Sequence, residues 1–169
     1  VKSVRHRDGQ PESQIEAFGL RIHIDRHEGT VLEGTGPDGV PYRVEQRVPY
    51  GYLPGVKGDD GEPYDVYVGP ERTVDRVHVV RQMKAGNGRY DEQKAMLGFA
   101  SSEAAEECFR AHTHPRMFGR MGSLSLDAFR AQLAAHPGGV FRAETDEDAD
   151  ELAEMQAAET ELREAGLLP

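Results

Sequence analysis

The chain has 169 residues, 37% of them apolar and 30% charged, which suits one domain with a sizeable core and requires no second. Its formal net charge of −10 excludes a general binder of nucleic acid or of anionic membranes, because both demand a basic face. The single cysteine, Cys108, excludes an internal disulfide, and no apolar run approaches the roughly 18 residues of a membrane-spanning helix or forms the core of a signal peptide.

Residues 1–19 are polar, carry Asp8-Gly9 and Pro11, and read as an extended arm. Leu20, Ile22 and Ile24 then alternate with Arg21, His23 and Asp25, the pattern of a half-buried strand with Asp25 on its polar face. Segments 30–33 and 42–48 predict two strands joined by a glycine-rich loop, and the second places Arg43, Glu45 and Arg47 on its polar side.

Four carboxylates follow within seven residues: Asp59, Asp60, Glu62 and Asp65, set around Gly61 and Pro63 and leading into an apolar strand, Val66-Tyr67-Val68. Like charges this close raise one another's pKa unless a cation neutralises them. Oxygen ligands of this kind suit Mg²⁺, Mn²⁺ or Ca²⁺ rather than zinc. The competing reading is a solvated acidic turn. Beyond it, residues 76–83 read as a β-branched strand, Asn87-Gly88 as a hairpin turn, and the return strand projects Tyr90, Glu92 and Lys94 from one face.

Ser101-Ser102 caps a helix running to about His112, with Ala105, Cys108 and Phe109 on its apolar stripe. Ser125 caps a second helix carrying Leu126, Phe129 and Leu133, which Pro137-Gly138-Gly139 stops. From Thr145 the chain is acidic and alanine-rich with a thin stripe of Leu152, Met155 and Leu162, a surface helix or a docking segment ending at Gly166. The organisation expected is an arm over 1–19, one domain over 20–142 and an acidic C-terminal helix or tail over 143–169. His112-Thr113-His114 and the pair His23 and His27 are two-ligand fragments, short of a zinc site, and the acidic turn does not follow the twelve-residue calcium-loop pattern.

Taken together, Tyr50-Gly51-Tyr52, Lys57-Gly58, Asp60-Gly61-Glu62-Pro63-Tyr64-Asp65, the run to Gly69-Pro70 and the later Asp91-Glu92-Gln93-Lys94-Ala95-Met96-Leu97-Gly98-Phe99 resemble the soluble inorganic pyrophosphatases. The run is especially similar to the pyrophosphatase-like domains of phage and prophage proteins, and the likeness spans roughly residues 20–135. It implies an α+β fold: a small OB-like, pyrophosphatase-like β-barrel with two packed helices, followed by the acidic C-terminal helix. It implies Mg²⁺-dependent hydrolysis of inorganic diphosphate, with Asp60, Asp65, Asp25 and either Glu92 or Asp91 as metal ligands. Glu62 takes the place of a general base, Tyr50 and Lys94 are catalytic, and Lys57, Arg43, Lys94 and Tyr50 hold the phosphates. Three departures stand against this. Glu62 is one methylene longer than the family's Asp, Asp25 stands where a Glu is expected, and no acidic residue lies between Asp75 and Asp91. The setting implied is the host cytoplasm or a virion, with phage head or other virion proteins as partners. The alternative is a virion structural or interaction module that keeps the fold without the chemistry.

Overall fold

The computed structural model describes residues 3–4 and 13–169. Strands in chain order are β1 (Ser3–Val4), β2 (Gln14–Ala17), β3 (Leu20–Arg26), β4 (Val31–Thr35), β5 (Pro41–Glu45), β6 (Tyr50–Lys57), β7 (Pro63–Val68), β8 (Arg76–Met83), β9 (Tyr90–Leu97) and β10 (Phe118–Ser125). Helices are α1 (Ser102–His112), α2 (Leu126–Ala135) and α3 (Asp146–Glu164), with a single 3-10 turn at Pro115–Met117. Most of the arm expected over 1–19 lies outside the described residues. Its last part contains β2, paired with β3 at the edge of the main sheet.

Seven strands form that sheet in the order β10-β8-β9-β7-β6-β3-β2, and β1, β4 and β5 form a separate sheet of three. The expected OB-like β-barrel is therefore corrected to an open sheet. Closure needs a ladder running from the last strand back to the first, but β10 and β2 end the order unpaired with each other, and the β4–β5 hairpin pairs with β1 instead. Every neighbouring pair in the main sheet is antiparallel except β7 and β9, which run parallel.

Alternation along the strands sorts the core into two layers. Ile22, Ile24, Leu53, Val66, Val79 and Leu97 face α2 and its buried Phe129, while Tyr50, Tyr67, Val80 and Met96 face α1 through Ala105, Cys108 and Phe109. Serine caps fix both helices: the Ser101 hydroxyl accepts from the Ala104 N–H and the Ser125 hydroxyl from the Ala128 N–H. Helix α3 starts at a capping box between Thr145 and Asp148 and is tied down only over its first turns. Arg76 holds Asp146 at 2.7 Å, the Ser123 N–H donates to Glu147 at 2.7 Å, and Arg120 pairs with Asp148 and Glu151. Leu152, Met155 and Leu162 remain exposed. Among the described residues no helix is long and apolar enough to cross a membrane.

Gly51 sits opposite Ile24 on one side and Val66 on the other, and a Cβ there would lie 1.7 Å from the His23 carbonyl oxygen. That neighbour is backbone and cannot rotate away, so β3 and β6 would have to separate. Gly51→Ala is expected to lower stability by about 3 kcal/mol, the upper end of overpacking costs, as a reduced urea midpoint. An unchanged midpoint would contradict this close approach.

Candidate active site

On the α1 face of the main sheet, between that sheet and the β4–β5 hairpin, lies a cleft of about 750 Å³. Three neighbouring strands meet there: β6 brings Tyr50, β7 Asp65, and β9 Glu92 and Lys94. The Lys94 ammonium is their hub. It donates to the Tyr50 hydroxyl at 2.7 Å and stands 3.3 Å from Glu92 and 3.7 Å from Asp65. The Tyr50 hydroxyl in turn donates to Asp65 at 2.5 Å.

Lys94 is 9% exposed. Burial works against its charge, but Tyr67, Glu92 and Asp65 outweigh it and hold the pKa above the ordinary lysine value. Burial, and then the adjacent Asp65, raise the Tyr50 phenol well above its usual range, so it stays a hydrogen-bond donor. Glu92 is pushed up to about 8, chiefly by burial; Lys94 pulls it down, while the hydrogen bond that its protonated carboxyl gives to Asp60 and the charges of Asp65 and Asp60 push it up. One buried cation thus faces more negative charge than it neutralises.

Two irregularities widen the set of side chains at the cleft. Between Ile24 and Arg26 the β3–β6 register slips, leaving Asp25 as the extra residue; between Gln82 and Met83 the β8–β9 register slips, leaving Asp91 as the extra residue. A bulge suspends the alternation that would send consecutive side chains to opposite faces. Asp25 with Arg26, and Asp91 with Glu92, therefore all line the cleft. Arg26, which the sequence reading passed over, lies 4.7 Å above the Tyr50 ring. Asp25 is 3.6 Å from His23, and Asp91 accepts from Gln82 Nε2 at 3.0 Å.

Several expected residues lie elsewhere. Tyr90 does not share the Glu92 and Lys94 face, because the Asp91 bulge turns it away. Its ring lies between Arg81 and Arg142, at 4.6 and 5.2 Å, and its hydroxyl donates to Asp59. Arg43 pairs with Glu33 at 3.5 Å on the exposed side of the small sheet and does not line the cleft. Lys57 and Glu62 are exposed outside it. Asp60 does not line the cleft but reaches Glu92 at its edge from the tight turn that Gly58 and Glu62 close by backbone hydrogen bonds, where it also accepts from the Glu62 N–H at 3.0 Å. Tyr52 packs on His23 with ring centroids 4.8 Å apart.

The oxygen donors at the cleft suit a hard divalent cation in kind. Among the described residues, however, no three His, Cys, Asp or Glu side chains are already grouped as a metal site. Zinc finds no support at His112, since Nδ1–H donates to the Cys108 carbonyl at 2.6 Å and Nε2 accepts from the Arg47 N–H at 2.9 Å. Burial lowers the His112 pKa, in keeping with a neutral ring.

A folded pKa of about 8 against an ordinary 4.5 means that the folded protein binds the Glu92 proton more tightly than the unfolded chain. The resulting stabilisation is complete below about pH 4.5 and is lost as pH rises through about 8. The metal-free protein is expected to melt at a lower temperature at pH 8 than at pH 5.5, and Glu92→Gln to flatten that slope. Calorimetry of both proteins at the two pH values checks this; parallel slopes would mean that Glu92 does not carry the proton.

A family model for inorganic pyrophosphatase matches residues 6–134, more than half of the chain. No curated protein and no solved structure matches it. Every strand from β3 to β9 that contributes to the cleft falls inside the matched span, and on that match the chain belongs to the inorganic pyrophosphatase family.

Proposed function

We propose that the protein hydrolyses inorganic diphosphate to two phosphates with Mg²⁺ as its cofactor. The observation that carries this reading is the convergence of Asp65 and Glu92 on buried Lys94, with Asp60 bonded to Glu92 from the acidic turn. In this reading Asp60, Asp65 and Glu92, with Asp25 and Asp91 from the two bulges, hold the metal. Mg²⁺ bound there lowers the pKa of coordinated water and offsets charge on the leaving phosphate. Lys94 and the Tyr50 hydroxyl bind phosphate oxygens, and Arg26 takes the share of the positive charge assigned to Arg43 from sequence. Glu62 keeps the role of general base and Lys57 that of a phosphate ligand; both require the turn at residues 58–62 to close over bound diphosphate. The motif run from Asp91 to Phe99 further supports a phage or prophage setting, where removal of diphosphate draws nucleotide polymerisation forward.

The second reading is a virion structural or interaction module with little or no turnover. It is favoured by the absence of a preformed metal trio among the described residues and by the exposure of Glu62. A phosphate-release assay separates the two. With Mg²⁺ the wild type is expected to release two phosphates per diphosphate and to lose this without the metal, and Asp65→Asn to lower kcat at least about 100-fold. No release from folded wild type at millimolar Mg²⁺ would leave the structural module standing.

A further inference from the structure

The two walls of the cleft are unlike. The main sheet gives it Tyr50, Asp65, Glu92 and Lys94, and the reaction assigned above draws on these polar groups and their neighbours. The facing wall is the inner side of the β4–β5 hairpin. In that ladder Leu32 is paired with Val44 and Gly34 with Tyr42, and alternate residues of a strand share a face. Leu32, Tyr42 and Val44 accordingly line the cleft, as does Val40 just before β5, whereas Glu33, Arg43 and Glu45 do not and are exposed. The hairpin turns its charges to solvent and its apolar side chains to the cleft.

This apolar wall is not packed shut. Val40 is 57% exposed and Tyr42 37%. Tyr42 has a fixed seat: a Cβ on Gly34 would lie 2.6 Å from its hydroxyl oxygen and 2.8 Å from Cζ, so the outer part of the ring rests on bare backbone. Covering a strand glycine with an aromatic ring steadies a hairpin, which accounts for the packed side of Tyr42. It does not account for an open aromatic and aliphatic surface in the same cleft as a buried ammonium. Inorganic diphosphate, its cation and water are polar throughout and leave that surface wet. Ligand clefts of about 300–1,000 Å³ are ordinarily lined by apolar groups with a few polar ones that fix orientation. At about 750 Å³ this cleft has both.

We propose that the cleft takes a nucleoside diphosphate, with its phosphates at Lys94, Tyr50 and Arg26 and its base against Tyr42 and Val40. A base presents a flat face to the ring while the charged tail meets the ammonium, so the ligand gains from both walls. Water adds to the terminal phosphorus, the bond from that phosphorus to the bridging oxygen breaks, and its electron pair leaves on the nucleoside monophosphate. One proton of the water stays on the released phosphate and the other goes to solvent. The inference rests on the metal-assisted hydrolysis proposed above and enlarges its substrate.

The test is steady-state phosphate release by the full chain at millimolar Mg²⁺ from ADP and from inorganic diphosphate, with thermal unfolding of each variant. Wild type is expected to release one phosphate per ADP. Tyr42→Ala is expected to lower kcat/KM for ADP, relative to that for inorganic diphosphate, about tenfold and chiefly through KM, while Tyr42→Phe keeps the wild-type ratio. Val40→Asn, at an open position, is expected to shift the ratio in the same direction, and it decides the matter where Tyr42→Ala fails to fold. Release from inorganic diphosphate but not from ADP, or a wild-type ratio in the folded variants, overturns the inference and leaves the diphosphatase reading intact. Release from ADP alone upholds it and overturns inorganic diphosphate as the substrate. No release from either overturns both.

Discussion

A buried ammonium is tolerable only among negative charges, and buried carboxylates only beside a cation. Lys94 and its neighbours satisfy both demands at once. The ammonium ties β9 to Asp65 on β7 and to Tyr50 on β6, so three strands that need only pair by backbone are also locked by side chains on one face. The balance is not even. Asp65, Glu92 and Asp60 present more charge than one lysine answers, and burial, with that excess added to it, raises the Glu92 pKa to about 8. Such a cluster is stable enough to fold and remains receptive to further positive charge.

The same face shows how a regular sheet is adapted to crowd polar groups. A perfect pleat gives the cleft every second side chain of a strand. The slips at Asp25 and Asp91 each add one, and the added residues are acidic in both cases, flanked by Arg26 in the first and Glu92 in the second. No acidic residue lies between Asp75 and Asp91. The bulge at Asp91 gives that part of the wall a carboxylate by geometry.

Much of this architecture was legible in the chain. Period-two patterns marked β3 and β9, apolar and β-branched runs marked β7 and β8, and Ser101 and Ser125 announced α1 and α2 because short hydroxyl side chains satisfy the first free N–H groups. Strand β6 was hidden by Pro54-Gly55, which reads as a turn but is absorbed by a register shift between Leu53 and Lys57. Strand β10 was diluted by Gly119 and Gly122. The barrel was misjudged because closure depends on which edges meet, and local periodicity is silent on that. At the site, the two-residue period put Glu92 and Lys94 on one strand face, and only the family resemblance joined Asp65 to them. Arg43 also lay on a polar face, but a pattern names a face without naming its sheet. Tyr90, Arg26 and Gln82 escaped because bulges leave no mark in alternation, although an arginine directly after the candidate ligand Asp25 was an available clue.

The parallel pairing of β7 with β9 carries a consequence for assembly. Strands β2, β3, β6 and β7 form one antiparallel half and β8, β9 and β10 another, and the lone parallel ladder is the seam that joins them. Parallel neighbours cannot be linked by a tight hairpin, so the chain crosses from β7 to β9 by way of β8, which lies outside the seam in the sheet. Asp65 lies on one bank of that seam and Glu92 on the other. The pocket therefore exists only where the two halves are docked, and a ligand gripping both carboxylates would act as a rivet, resisting the separation of one half from the other.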